Sequence, residues 1–181
     1  QSVLAQGVDL VTFSGDKLLG AVQCGVIAGR QDLIETIRKN PMKRALRVDK
    51  VTLAILNATL KLYAQPEQLV EHLPLLRTLT LTPQQLEVRA EAVIANLPAR
   101  VQGTIITSEA QIGSGALPDQ NIDSVAVSLT HDTLSAQKLA EALRYATVPV
   151  IGRLKDERVL LDMHGADPID ELINVLTGLA L

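Results

Sequence analysis

Ser14-Gly15-Asp16-Lys17-Leu18-Leu19-Gly20 sets a lysine at a sharp turn between two apolar runs. Val8-Asp9-Leu10-Val11-Thr12-Phe13 precedes it, and Gln23-Cys24-Gly25-Val26-Ile27-Ala28-Gly29 follows. Both runs read as short buried strands bounded by glycine. That is an odd seat for a solvated charge. It is a good seat for an amine that must form a Schiff base with pyridoxal phosphate. Ser14, three residues before Lys17, could place its hydroxyl on the cofactor phosphate from the same turn. The plain alternative is an ordinary turn lysine.

A second chemical feature follows in the chain. Arg38, Lys39, Lys43, Arg44, Arg47 and Lys50 fall within thirteen positions, with Asp49 the one acid among them. Lys43 and Arg47 are four apart and Arg44 and Arg47 three apart, so a helical turn would put them on one face. Like charges on one face cost stability unless an anion neutralises them, and the arginine fork suits phosphate-type oxyanions. A solvated basic face is the competing reading.

Several single residues carry weaker signals. His72, His131 and His164 have no metal-site spacing and read as surface or capping histidines. Cys24 reads as a small apolar filler on a buried strand. Gly113-Ser114-Gly115 could bring backbone close to a ligand or simply shape a loop. Arg153 could contact substrate or stand exposed beside a hairpin.

Composition narrows the class. Hydrophobic residues make up 47% and charged residues 20%, enough for a sizeable core. The single cysteine excludes an intrachain disulfide and fits a reducing, cytoplasmic setting. No apolar run approaches the roughly 18 residues of a membrane span. Aromatics at 2% argue against a base-stacking platform, and a net charge of −3 gives no global pull toward nucleic acid.

The elements that must position these residues can be read from periodicity. Gln31 to Lys39 predicts a short helix with Leu33, Ile34 and Ile37 inward, ended by Asn40-Pro41. A longer helix runs from about Asp49 to Tyr63, with Val51, Ile55, Ala58 and Leu62 as its apolar stripe, widened by Leu53, Leu56 and Leu60. Gln65-Pro66 ends it, and a broken helix or connector surrounds Leu73-Pro74-Leu75-Leu76. Thr82-Pro83-Gln84-Gln85 forms a capping box before a helix carrying Leu86, Ala90, Val93 and Leu97.

Strands are expected at Thr104 to Ser108, Val125 to Leu129, Val148 to Arg153 and Arg158 to Met163. A hairpin through Leu154-Lys155-Asp156-Glu157 joins the last two. Helices at Ser135 to Tyr145 and after Asp167-Pro168 (with Ile169, Leu172, Ile173 and Leu176) complete an α+β domain. One face of its mostly antiparallel sheet is expected to be covered.

One family resembles the whole pattern. The run Asp9 to Gly20 resembles the cofactor-lysine segment of the bacterial selenocysteine synthases, the L-seryl-tRNA(Sec) selenium transferases. Asn40-Pro41-Met42-Lys43-Arg44-Ala45-Leu46-Arg47-Val48-Asp49-Lys50, Gln111-Ile112-Gly113-Ser114-Gly115-Ala116-Leu117-Pro118 and Pro149-Val150-Ile151-Gly152-Arg153 are similar to later family blocks, in the right order. Two departures stand out. Gly20-Ala21-Val22-Gln23-Cys24-Gly25 replaces the family's usual Gly-Gly-Pro-Gln-Ala-Gly, and Leu161-Asp162-Met163-His164 lacks an arginine usual there.

The resemblance implies an α/β fragment of the aspartate-aminotransferase-like fold. Residues 1–66 would be the end of the large cofactor domain with its bridging helix, and 67–181 a small C-terminal α+β domain. It implies Lys17 as the catalytic, cofactor-binding lysine, Ser14 on the cofactor, and Arg44 and Arg47 on the anionic selenium donor. It further implies pyridoxal phosphate as cofactor, seryl-tRNA(Sec) and selenophosphate as substrates, an aminoacryl intermediate, and a large ring-shaped homo-oligomer. Family members are longer than this chain, so it is expected to be a C-terminal fragment, inactive by itself. Two rivals remain: another β-eliminating or lyase-type pyridoxal-phosphate enzyme acting on a free small molecule, and a non-catalytic oligomerisation piece.

Overall fold

Alternating apolar residues and a glycine-bounded turn make the first hairpin. After a short helix α1 (Ser2–Ala5), β1 (Leu10–Ser14) pairs antiparallel with β2 (Gly25–Gly29), Leu10 facing Gly29 and Ser14 facing Gly25. The computed structural model describes residues 2–112 and 121–179, and the chain separates into two units, Gln1–Arg77 and Thr78–Leu181. The Gly113-Ser114-Gly115 turn lies outside the described residues.

In the first unit the hairpin closes tightly at its base. Gly29 has φ +152, and a Cβ there would collide with the Asp9 carbonyl, so only glycine fits. Arg30 then clamps the base with Nη1 2.7 Å from Asp9 Oδ1 and Nη2 2.6 Å from Asp32 Oδ2. These bonds hold the Asp32 carboxyl below, and the Arg30 guanidinium above, their ordinary values.

Helix α2 (Gln31–Lys39) packs on β2 and on the single turn α3 (Lys43–Leu46). Helix α4 (Lys50–Leu62) starts at Asp49, whose carboxylate accepts from the amides of Val51 and Thr52 and from the Thr52 hydroxyl. It ends at Tyr63. A 3-10 turn (Pro66–Gln68), α5 (Leu69–His72) and α6 (Pro74–Leu79) supply the broken helix that Pro66 and Pro74 impose.

Two expectations for this unit need correction. β1 and β2 are only half-covered, with Phe13 and Ile27 exposed, because a two-stranded ribbon with one helix against it cannot enclose both faces. The stripe expected to be buried on α4 is turned out as well. Val51, Leu53, Ile55 and Leu60 are exposed, and Thr59 is the buried residue of that helix. Periodicity found the helix, but a helix apolar on most sides does not declare which side is covered.

The second unit holds the core. Helix α7 (Pro83–Ala95) begins with the expected capping box, Thr82 and Gln85 exchanging side-chain and backbone bonds. β3 (Val101–Gln111), β4 (Asn121–His131), β5 (Arg153–Lys155) and β6 (Arg158–Asp162) form one antiparallel sheet of order β3-β4-β6-β5. Val125, Val127 and Leu129 alternate onto one face and pack with Leu86, Ala90 and Val93 of α7, and with Leu139 and Leu143 of α8 (Ala136–Arg144). Leu176 of α9 (Ile169–Thr177) completes that layer. The result is a mixed α/β chain built on a four-stranded antiparallel sheet.

The strand expected at Val148 to Arg153 shrinks to β5. Pro149 has no N–H for a ladder, and the Val150 amide bonds the Leu143 carbonyl at the end of α8 instead. The β5–β6 turn is two residues long, with Asp156 and Glu157 both at positive φ (49 and 58). That is the backbone a tight hairpin demands.

A candidate lysine hairpin and a buried polar cluster

At the tip of the first hairpin the Gly15 amide donates to the Cys24 carbonyl (2.8 Å), extending the β1–β2 ladder by one pair. The Ala21 amide returns to the Gly15 carbonyl (2.8 Å) and the Gly20 amide to the Lys17 carbonyl (2.9 Å). The segment therefore closes on itself with Lys17 at its bend. Gly15 is required by crowding: a Cβ there would stand 2.6 Å from both Cys24 Sγ and the Val22 carbonyl. Cys24 is a buried free cysteine that fills this corner.

The Lys17 side chain is 62% exposed, and its ammonium lies 3.8 Å from the Asp16 carboxylate. The sequence placed this lysine between buried strands, whereas the structure holds it in the open. Ser14 ends β1, exposed, with its hydroxyl in no hydrogen bond among the described residues. Facing Ser14, Gly25 has no atom within 4 Å of where a Cβ would stand. An aldehyde cofactor carrying a phosphate needs a reachable amine, a hydroxyl free to donate and room beside them. This hairpin end offers all three, so its residues fit such a group.

Arg44 lies in α3 and Arg47 just beyond it, since the turn stops at Leu46 and Arg47 is already extended (φ −67, ψ 139). The single helical face expected for Lys43, Arg44 and Arg47 is thus interrupted at its last member. Both arginines are exposed, and neither guanidinium has a hydrogen bond or ion pair among the described residues. The structure brings Ser14 and Lys17 together on one hairpin. It connects Arg44 to that hairpin through α2, with no bond between either arginine and Lys17.

The second unit contains a cluster that sequence reasoning did not assemble, although it had singled out Arg153. Ser124 donates to Asp162 Oδ1 (2.7 Å) and lies 2.8 Å from His164 Nδ1. Ser108 donates to Asp162 Oδ2 (3.1 Å), and Arg153 donates to Ser108 (2.7 Å) and to Asp162 Oδ2 (3.2 Å). The one proton of Ser124 goes to Asp162, so His164 is the donor in the pair that they share. Ser124 and His164 are buried, and burial pushes the imidazole below its ordinary value; Asp162 partly opposes this and Arg89 reinforces it. His164 is therefore an interior residue, where a surface or capping histidine was expected.

Ser108, Arg153, Asp162 and His164 line a groove of about 1160 Å³, together with Glu109, Asp123 and Lys155. Its charges are mixed. The four residues are spread over 57 positions, and the register of β3, β4, β6 and β5 assembles them, so local motifs, which marked Arg153 alone as a possible contact, could not reveal the cluster.

His131 does cap, its Nδ1 accepting from the Thr133 and Leu134 amides. Among the described residues no group of three His, Cys, Asp or Glu side chains is placed to hold a metal ion. No helix among them is long and apolar enough to cross a membrane.

The whole chain has clear relatives. The family model described as "L-seryl-tRNA selenium transferase" matches residues 1–167. An L-seryl-tRNA(Sec) selenium transferase from Haemophilus influenzae is 45% identical over 186 residues, 99% of this chain and 40% of that protein. Proteins of the same name from Hyphomonas neptunium and Serratia proteamaculans are each 45% identical, covering 90% and 98% of this chain and 35% and 40% of their own lengths. The chain thus spans about 40% of the length of the curated relatives it matches. With the model matched along nearly its full length, the chain belongs to the L-seryl-tRNA selenium transferase family.

Proposed function

We propose that this chain carries the cofactor-lysine segment of an enzyme that converts L-seryl-tRNA(Sec) to L-selenocysteinyl-tRNA(Sec) with selenophosphate. The observation that carries this reading is the hairpin end: an accessible Lys17 amine, the uncommitted Ser14 hydroxyl and the open space at Gly25, in a chain of this family. Residues 1–66 would close the large domain of an aspartate-aminotransferase-like fold, and 67–181 would form its small domain.

Pyridoxal phosphate, when bound, supplies an electron sink for the carbanion at the serine Cα. Lys17 would hold the cofactor aldehyde, and its amine when free would exchange protons at the serine Cα as acid and base. Asp16 would hold the ammonium near the turn while the lysine is free. Ser14 would donate its hydroxyl to the cofactor phosphate. Arg44 and Arg47, their guanidinium groups uncommitted, would bind the phosphate of the selenium donor.

A large homo-oligomer is part of the same reading. The apolar side chains that α4 leaves exposed need a cover, which a second copy or the remainder of a full-length chain would supply.

The test uses a protein built out to the full length of its relatives. Seryl-tRNA(Sec) and free amino acids are offered separately, each with selenophosphate. Turnover of seryl-tRNA(Sec) is expected, and Arg44→Ala with Arg47→Ala should raise the selenophosphate KM about tenfold or more while cofactor content stays constant. Turnover of free amino acids alone would overturn the reading in favour of a small-molecule lyase.

A further inference from the structure

We propose that Tyr63 is a positioning residue for Lys17, its hydroxyl holding the turn from which the amine projects. The inference rests on Lys17 being the cofactor lysine. Tyr63 closes α4, and its Oη donates to the Leu19 carbonyl at 3.0 Å, with the Leu18 carbonyl at 3.5 Å. The bond spans 44 residues of sequence. It joins the end of a 13-residue helix to the bend that carries Lys17.

The turn's own bonds leave a gap at this point. They use the carbonyls of Gly15, Lys17 and Cys24, and not those of Leu18 and Leu19. Gly20 then reverses the chain at φ +66. Among the described residues Tyr63 alone offers a side-chain hydrogen bond to the segment from Lys17 to Gly20. A phenol has one proton, and the shorter bond to Leu19 is the one it serves. Burial raises the phenol above its ordinary value, so it remains a donor throughout the neutral range.

Among the described residues the Lys17 side chain has one polar partner, an ion pair at 3.8 Å with its own neighbour, Asp16. That pair moves with the turn and cannot fix it. Tyr63, anchored on α4, can.

Phenylalanine at position 63 keeps the ring and removes only the donor. In the full-length protein, Tyr63→Phe is compared with wild type and with Tyr145→Phe, which alters an exposed tyrosine of the other unit. Amide hydrogen exchange is read on the peptide covering residues 17–21. Borohydride trapping of pyridoxal phosphate at sub-saturating concentration is read on Lys17 relative to Lys138 in the same digest.

The expected result for Tyr63→Phe is exchange about fivefold faster and Lys17 trapping lowered by a similar factor, the loss of one net hydrogen bond. Tyr145→Phe should change neither. Unchanged exchange overturns the inference, and so does faster exchange with unchanged Lys17 trapping, which would make the tyrosine merely structural. Failure of Lys17 to trap cofactor in the wild-type arm overturns the Lys17 assignment itself, and the inference with it.

Discussion

Arg153 places a guanidinium nitrogen 3.2 Å from the Asp162 carboxylate, joining β5 to the last residue of β6. The ion pair is the outer part of a network that continues inward through Ser108 and Ser124 to His164. Its two ends differ in worth. Arg153 is 56% exposed and screened by solvent, whereas Asp162 is 20% exposed and accepts from two hydroxyls and the His164 amide as well.

Removing each end should therefore give unequal effects. Asp162→Ala leaves buried Ser124 without its acceptor and should lower the unfolding free energy by about 2–3 kcal/mol. Arg153→Ala should cost under about 1 kcal/mol. Urea unfolding of the two variants checks the order, and equal losses would contradict it.

His164 makes the second unit sensitive to acid. The groups facing it are Asp162 at the end of β6, Ser124 on β4 and Arg89 on α7, with Arg153 acting through Asp162. Its folded pKa is lowered, chiefly by burial, so the unfolded chain takes up a proton more readily. The stability that this residue contributes is present above its ordinary value, near 6.5, and is lost as pH falls below it. The urea midpoint should drop between about pH 7.5 and 5.5, and His164→Gln should flatten that drop. A midpoint that rises as pH falls would reverse the sign.

Leu86 is fully buried where α7 meets the sheet. Leu86→Ala should destabilise the unit by about 2–5 kcal/mol, the cost of lost transfer energy plus a cavity. Thr82→Ala, four residues earlier, removes only the helix cap and should cost about 1 kcal/mol. Chemical denaturation distinguishes the two.

The sequence made some of this legible and hid the rest for physical reasons. Asp49 and Tyr63 bound α4, as periodicity and the following Gln65-Pro66 indicated, because helix ends are written in local residues. Which face of α4 is covered depends on neighbours far along the chain, and there the expected stripe of Val51 and Ile55 proved exposed. The lysine turn was readable as a turn because Gly15 and Gly20 mark it. Its tether to Tyr63 was not, since a bond across 44 residues leaves no periodic trace. In the same way, Asp162 and Ser124 look like ordinary strand residues until β4 and β6 align.

Most of the proposed chemistry turns on whether pyridoxal phosphate attaches to Lys17. Borohydride reduction of the full-length, cofactor-loaded protein, followed by peptide mapping, tests it most directly. One stoichiometric phosphopyridoxyl group is expected on Lys17, and it should be lost in Lys17→Ala. A stoichiometric adduct on any other lysine, or one that persists in Lys17→Ala, would contradict it.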